Sequence, residues 1–376
     1  MSTDLTVTPV AGRRDLKSFI ELPFELYAGV DQWVPPLIAE RRRHLDRRRN
    51  PFFRHADAEY FLARRGERVV GRISAQIDQR FNEFHDNDWG QFGFYESSDD
   101  REVASALIDA ACDWLRERKR DKAIGPLDFS TNHECGLLVD GFELRPQILE
   151  NWHHPYYGPL LEGCGLTKAM DLYKWSLHVS GKGDVMPIIF DLAEKLETEH
   201  GITIRGMRKR DLHAEVERFM EVYNAAWERN WGFVPLTDEE IRHYAKELRP
   251  VLDSNWAMVA ETAEGETVGV GLTLPDYNQV LKKLNGRLLP FGWAKALRAR
   301  KTIDSVRVFA LGVKPDYQHT GIAAGLYKRH YEMAASTPQH GGETGWILEV
   351  NKPMNKAMKA MGGEIVKTYR IYEKGL

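Results

Sequence analysis

Val306 to Val313 is an apolar, β-prone run that stops at Pro315, a residue unable to continue a strand ladder. Helix-spaced apolar residues then resume at Ile322, Leu326, Tyr327 and Tyr331, so the order is strand, tight loop, helix. Gln318, Gly321 and Ala323 give the loop the pattern Gln-x-x-Gly-x-Ala, with no acidic residue between Tyr317 and Tyr327. A glycine in the first turn lets an oxygen-rich ligand approach the backbone, and unpaired N–H groups with the helix dipole favour phosphate there. The Lys-Ser/Thr of a nucleotide-hydrolysing P-loop and the three glycines of a dinucleotide fingerprint are both missing. A pyrophosphate held without a metal or a hydride points to coenzyme A.

These residues resemble the GNAT acyltransferase superfamily, whose hallmark is a strand ending in valine, then Arg/Gln-x-x-Gly-x-Gly/Ala opening a helix. The chain downstream keeps the superfamily's order: a strand over 346–350, Asn351, a helix over 353–361, Gly362 and Gly363, and a strand ending at 369–372. The resemblance covers residues 201–376. It implies an α/β (α+β) fold of mixed, mostly antiparallel sheet flanked by helices. It also implies a coenzyme A thioester, acyl-CoA or acetyl-CoA, as donor, with no metal.

The 376 residues, 43% of them hydrophobic, suit two domains with two cores. A net charge of −3 gives no global reason to expect nucleic acid or an acidic partner. Cys112, Cys135 and Cys164 are odd in number and lack metal-ligand spacing, which suits reduced thiols in the cytoplasm. No apolar run approaches the ~20 residues needed to span a bilayer, and the first residues carry no signal pattern. The expected location is cytoplasmic, with peripheral attachment to the inner face of the membrane as an option.

The first half repeats the order of the second: strands at 5–10, 59–63, 69–77 and 91–95, a helix over 99–119, a strand near 123–128. It reads as a GNAT-like domain over 1–180. Where its phosphate loop should stand, Glu96, Asp99 and Asp100 would repel a pyrophosphate, so this copy is expected not to bind coenzyme A. Arg41–43 and Arg47–49 fit either a phosphate or membrane patch or a solvated helix face. Residues 129–142, with Asn132, His133 and Glu134, fit either an acceptor pocket with proton transfer or an ordered loop.

Glycine and polarity at 180–184 mark a linker, and a linker with bridging helix over 181–200 leads to the second domain at 201–376. Asp211 is placed as a helix N-cap, and Thr237 with Glu240 forms a capping box. Trp227, Trp231 and Phe233 lie where the superfamily's interhelical loop covers the acceptor; they are either acceptor-binding or core residues. A minimal GNAT domain has only a short turn where this chain has 275–303. Within that insertion, the run from Leu281 to Ile303 has Lys282, Lys283, Arg287, Lys295, Arg298, Arg300 and Lys301 interleaved with Leu288, Leu289, Phe291, Trp293 and Leu297, without one acid. An anionic membrane surface, a solvent-exposed arm and nucleic-acid contact all fit; RNA binding lacks a repeated basic and aromatic pattern elsewhere, so no nucleic-acid partner is expected.

By the resemblance, the donor's pantetheine pairs with backbone groups near Leu311 and Val313, and its pyrophosphate sits on Gln318, His319, Thr320, Gly321, Ile322 and Ala323. Asn351 belongs to the same cofactor set. Glu349, in a Leu-Glu-Val strand like that of some members, is the candidate base. The tyrosine that commonly protonates the leaving thiolate is replaced by Met358 or Met361, which leaves either solvent or another residue, with Tyr369 and Tyr372 nearest in sequence and Tyr372 taken as catalytic.

The reading is an acyl-CoA-dependent N-acyltransferase. Its tandem layout is similar to bacterial enzymes acting on lipid amines such as sphingoid bases, and in it the first domain helps to enclose the acceptor. The alternatives are an acetyltransferase for a soluble or protein amine, and a non-catalytic acyl-CoA-binding module.

Overall fold

The computed structural model describes residues 4–178 and 186–376. The linker expected at 180–184 lies outside the described residues. Two compact units are formed: Met1–Leu172 with Leu281–Ala296 and Lys367–Leu376, and Tyr173–Val280 with Leu297–Val366.

From the amino end come β1 (Leu5–Pro9), α1 (Gly12–Leu26), α2 (Ile38–His44), β2 (Ala56–Arg65), β3 (Arg68–Asp78) and α3 (Gln79–His85). After them stand β4 (Trp89–Ser97), α4 (Arg101–Glu117), β5 (Lys122–Gly125), β6 (Leu137–Asp140), α5 (Tyr157–Gly163) and β7 (Thr167–His178). The next elements are α6 (Pro187–His200), β8 (Thr203–Gly206), α7 (Leu212–Trp227), α8 (Asp238–Leu248), β9 (Ala257–Glu261) and β10 (Thr267–Pro275). The chain ends with α9 (Asn278–Leu284), α10 (Gly292–Ala299), β11 (Val306–Val313), α11 (Ile322–Ser336), β12 (Gly341–Leu348), α12 (Lys352–Ala360) and β13 (Glu364–Gly375).

In the first unit the strands run β1-β2-β3-β4-β5-β13-β7, with β6 also on β13. In the second they run β7-β12-β11-β10-β9-β8. Both sheets are mixed and mostly antiparallel, and each contains one parallel pair of the same kind. β4 pairs with β5 only as far as Gln91 and Ile124, and β11 with β12 only as far as Val308 and Thr344. Each outgoing strand is bulged against its antiparallel neighbour, between Arg72 and Ser74 in β3 and between Leu272 and Thr273 in β10. A bulge adds a residue and bends the strand, so the parallel pair opens and leaves backbone groups for another partner.

Two stretches expected in the second domain are divided. Leu281–Ala296, most of the insertion, and the terminal strand from Lys367 belong to the first unit. The reasons are local bonds: Lys282 Nζ donates to the carbonyls of Asp31 (2.7 Å) and Trp33 (2.9 Å), and Tyr372 to Gly375 pair with Gly125 to Lys122. The basic runs are also not wholly solvated. Arg41 reaches Glu134 at 2.9 Å, and Arg47–49 form a turn after α2 and not helix.

The capping box at Thr237 and Glu240 is present, whereas Asp211 stands at an N-cap without making a side-chain bond, because a 3-10 turn over Lys209–Asp211 leads into α7. β5 ends at Gly125, ahead of the expected 128, and the chain beyond it turns inward. Within 129–142 the structure holds a short strand, β6, after a turn in which His133 Nδ1 lies 3.0 Å from Ser130 Oγ.

Candidate functional site

Backbone groups at the first unit's opening are bonded by its own chain. Phe94 N donates to Asp128 Oδ1 at 2.8 Å, Leu127 N to Phe92 O at 2.8 Å, and Ser97 N to the Tyr157 hydroxyl at 3.3 Å. The start of α4 is occupied as well, for Asp100 Oδ1 accepts from Glu102 N (2.9 Å) and Val103 N. A carboxylate fixed by the protein thus already satisfies the helix end that an incoming anion would use. The Asp100→Ala variant should unfold with about 1 kcal/mol less stability, the usual loss for such a cap. A denaturation series showing no change would contradict this role.

Glu96, expected in an open acidic loop, is instead buried at the end of β4. Its Oε2 accepts from Tyr27 (2.6 Å) and Tyr157 (2.7 Å). Burial pushes its carboxyl up to about 6 against the pull of Arg72. Asp128 is likewise raised to about 6 by burial and by Glu134, while Arg41 holds Glu134 down at about 2 against its own burial.

The second unit has the opposite character at the equivalent place. Pro315–Thr320 form a 3-10 turn, Gly321 stands at φ +88°, and α11 begins at Ile322 with no side-chain cap and no acid in its first turn. Gln318 and His319 are exposed, and Thr320 is held by its hydroxyl on Tyr317 O at 2.7 Å. Gly321 serves two needs at once. Its left-handed backbone excludes most side chains, and a β-carbon there would stand 3.1 Å from the Leu192 carbonyl of α6. An open, uncapped helix start fits the pyrophosphate of coenzyme A.

Leu311 and Val313 turn their side chains toward α11 in the core, and the face of β11 that carries Gly312 lies against Trp227. Trp227 stacks on Tyr223 (4.7 Å between ring centres), which in turn meets Phe233 (5.6 Å) and Phe219 (5.9 Å). Trp227 is half-buried, Phe233 is core, and Trp231 is half-buried in the turn after α7. Tyr223, between them, is not among the residues expected from sequence; its four-residue spacing from Phe219 and Trp227 is the signal that could have found it.

Of the other expected site residues, Glu349 sits differently from expectation, and Asn351 and Tyr372 have partners of their own. Glu349 is not in a strand: β12 ends at Leu348, and Glu349 is half-buried in the turn after it. Asn351 caps α12, its Oδ1 accepting from Met354 N at 3.2 Å. Tyr372 belongs to the first unit's core, fully buried, with its hydroxyl on Glu162 Oε1 at 3.2 Å; Tyr369 is equally buried and donates to Asn151 O at 2.8 Å. Both are committed to the first unit's packing because the terminal strand is. In the second unit it is Tyr327 on α11 that sends its hydroxyl to α12, 3.3 Å from Met354 Sδ.

Buried charge gathers where β11 and β12 part. Arg307 and Glu343 are register partners; Arg307 Nη2 donates to Gly345 O at 3.3 Å, Lys174 Nζ to the same carbonyl at 3.0 Å, and the guanidinium lies 4.8 Å from the Trp346 ring centre. The sequence offers one sign of this cluster, an arginine inside an otherwise apolar strand. Among the described residues no group of three or more His, Cys, Asp and Glu is arranged to hold a metal.

No family model matches the chain. Over its whole length it is 40% identical to a bacterial ceramide synthase of Caulobacter vibrioides, covering 98% of that protein. It belongs to the family of that ceramide synthase and is an N-acyltransferase. The acyltransferase is also 33% identical to protein YghO of Escherichia coli, over 96% of this chain and 93% of that one. In fold it is similar to a tandem GNAT protein from the clavulanic acid biosynthesis pathway, with TM-score 0.56 at 13% identity over 99% of this chain and 98% of that one. A GCN5-related N-acetyltransferase from Sphaerobacter thermophilus gives TM-score 0.51 at 13% identity, over 98% and 95% of the two chains. The acyltransferase has no helix, among its described residues, long and apolar enough to cross a membrane.

Proposed function

We propose that this enzyme transfers an acyl group from coenzyme A to the amino group of a lipid, a long-chain amine of the sphingoid kind. The observation that carries the donor is the contrast between the two helix starts, one closed by Asp100 and one open at Gly321. The lipid acceptor is supported by the 40% identity to a ceramide synthase along the full chain. The thioester supplies an activated acyl carbonyl. The amides from Gln318 to Ala323 hold the pyrophosphate, and the backbone near Leu311 and Val313 aligns the pantetheine arm and polarises the carbonyl. Trp227, Trp231 and Phe233, with Tyr223, form the apolar wall for the acceptor.

Glu349 is assigned the proton of the attacking amine. In the Glu349→Gln variant, single-turnover rates should fall at least about tenfold with donor affinity nearly unchanged, since the group acts only on the proton in transfer. An unaltered rate constant makes Glu349 structural and turns attention to Glu343. Tyr372, Tyr327 and solvent are the candidates to protonate the thiolate.

Mass spectrometry of products from a panel of acyl-CoAs incubated with long-chain and soluble amines tests the function. Amides confined to long-chain amines support it. Amides only of soluble amines replace the lipid acceptor with the acetyltransferase alternative.

A further inference from the structure

Among the described residues, five of the eleven exposed large apolar side chains fall between Leu288 and Leu297. Leu289 and Phe291 are 75% and 76% exposed, more than any other large apolar residue of the chain that is described. Scattered single residues of this kind need no explanation, but a concentration does.

The stretch is mounted firmly. Besides the two carbonyls held by Lys282, Ile38 N donates to Gly286 O at 3.0 Å, and Leu284 is buried. The turn between α9 and α10 therefore projects Leu288, Leu289, Phe291 and Trp293 from a fixed base in the first unit. Part of its backbone is bonded within the turn. Arg287 N bonds to Leu284 O (3.1 Å), Trp293 N to Leu288 O (2.9 Å) and Ala294 N to Phe291 O (3.2 Å), while Pro290 has no N–H to satisfy. On either side stand exposed cations, Lys283, Arg287 and Lys295, with no acid anywhere from Leu281 to Ile303.

We propose that this turn is a docking wedge for an anionic lipid surface. Its apolar tip enters the boundary between headgroups and acyl chains, and the flanking cations meet the negative headgroups. The charge decides between occupants: a second copy of this chain, with a net charge of −3, offers no comparable anionic sheet, whereas a bilayer rich in phosphatidylglycerol does. Lys282 takes no part, being spent on carbonyls within the unit. The proposal rests on the lipid-acceptor reading for its purpose, but it is tested apart from it.

The full chain is sedimented with phosphatidylcholine vesicles, with and without phosphatidylglycerol, alongside Leu289→Ser/Phe291→Ser/Trp293→Ser and Arg287→Glu/Lys295→Glu variants. All these positions are exposed, so the variants should keep the native circular dichroism and melting profile. The native chain should pellet with anionic vesicles at low salt and be released near 1 M salt, where the Debye length shrinks to about 3 Å. Both variants should bind at least about fivefold less. Amide formation from a long-chain amine held in neutral detergent micelles separates the two readings, because the wedge variants should retain it in full.

Native binding that the apolar variant keeps, or native protein that stays in the supernatant at low salt, overturns the wedge. So does a dimer of the native chain that the apolar variant abolishes in sedimentation velocity, which would make the turn a contact between copies. Vesicle binding without amide formation from any amine leaves the wedge standing and removes the proposed function.

Discussion

The double variant Gln318→Glu/His319→Glu should bind coenzyme A at least about tenfold more weakly than the native chain in titration calorimetry. At the dielectric of water, two carboxylates about 7 Å from a pyrophosphate charge each repel it by about 0.6 kcal/mol, and a pyrophosphate carries more than one charge. Both positions are exposed, so the change reaches the ligand and not the core. Gly321→Glu is the less discriminating choice. Its φ of +88° and the nearby Leu192 carbonyl mean that any side chain there strains α11 against α6 whether or not a ligand binds. Undiminished affinity in the double variant would remove the loop from the donor site.

The second large effect concerns the first unit and its dependence on pH. Asp128 is surrounded by Glu134, Arg41, Arg72, the Phe94 amide and Asn151, and burial with Glu134 raises it from 3.8 to about 6. An acid whose folded pKa is raised costs nothing below its unfolded value, and the cost grows until the pH passes the folded value. That cost is about 3 kcal/mol at neutral pH for a shift of about 2 units. In Asp128→Asn it disappears, so stability relative to the native chain should improve by about 1.5 kcal/mol on going from about pH 5 to about pH 8. Denaturant unfolding of both proteins at the two pH values measures it. A difference that stays constant would mean that Asp128 titrates as an ordinary carboxylate. His153, lowered to about 3 by burial, changes the native curve in the opposite sense at acid pH, but it cancels in this difference.

The parts of the fold that are legible in the sequence are those set by local chemistry. Pro315 ends a strand, Gly321 opens a helix, and Thr237 with Glu240 caps one; each rule acts within four residues, and the structure obeys it. The parts that are not legible depend on partners distant in sequence. Nothing near Lys282 announces that its ammonium will hold the carbonyls of Asp31 and Trp33, and nothing near Tyr372 announces pairing with Gly125. Hence sequence alone assigns the insertion and the last strand to the second domain, and the structure moves them to the first.

Charge alone predicts that the first unit's opening is closed to a pyrophosphate. In the structure Glu96 is buried on two tyrosines, and Asp100 and Asp128 accept from backbone amides, arrangements that charge alone does not predict. At the candidate site, Leu348-Glu349-Val350 alternates like a strand, whereas β12 stops one residue before Glu349. Glu343 and Lys174 escape a sequence reading, and Arg307 shows only as an arginine in an apolar strand, because charged residues in a strand look like surface until their burial is seen.

The most direct test of the enzyme's proposed chemistry tracks both products of one reaction. The full chain is incubated with a long-chain acyl-CoA and a sphingoid-type amine in phosphatidylglycerol-containing vesicles, and thiol release and amide formation are measured on the same samples. An acyl-CoA-dependent N-acyltransferase gives one free coenzyme A thiol for each amide, at a rate lost in the Gln318→Glu/His319→Glu variant. Thiol released without amide, or amide formed at an undiminished rate by that variant, would contradict it.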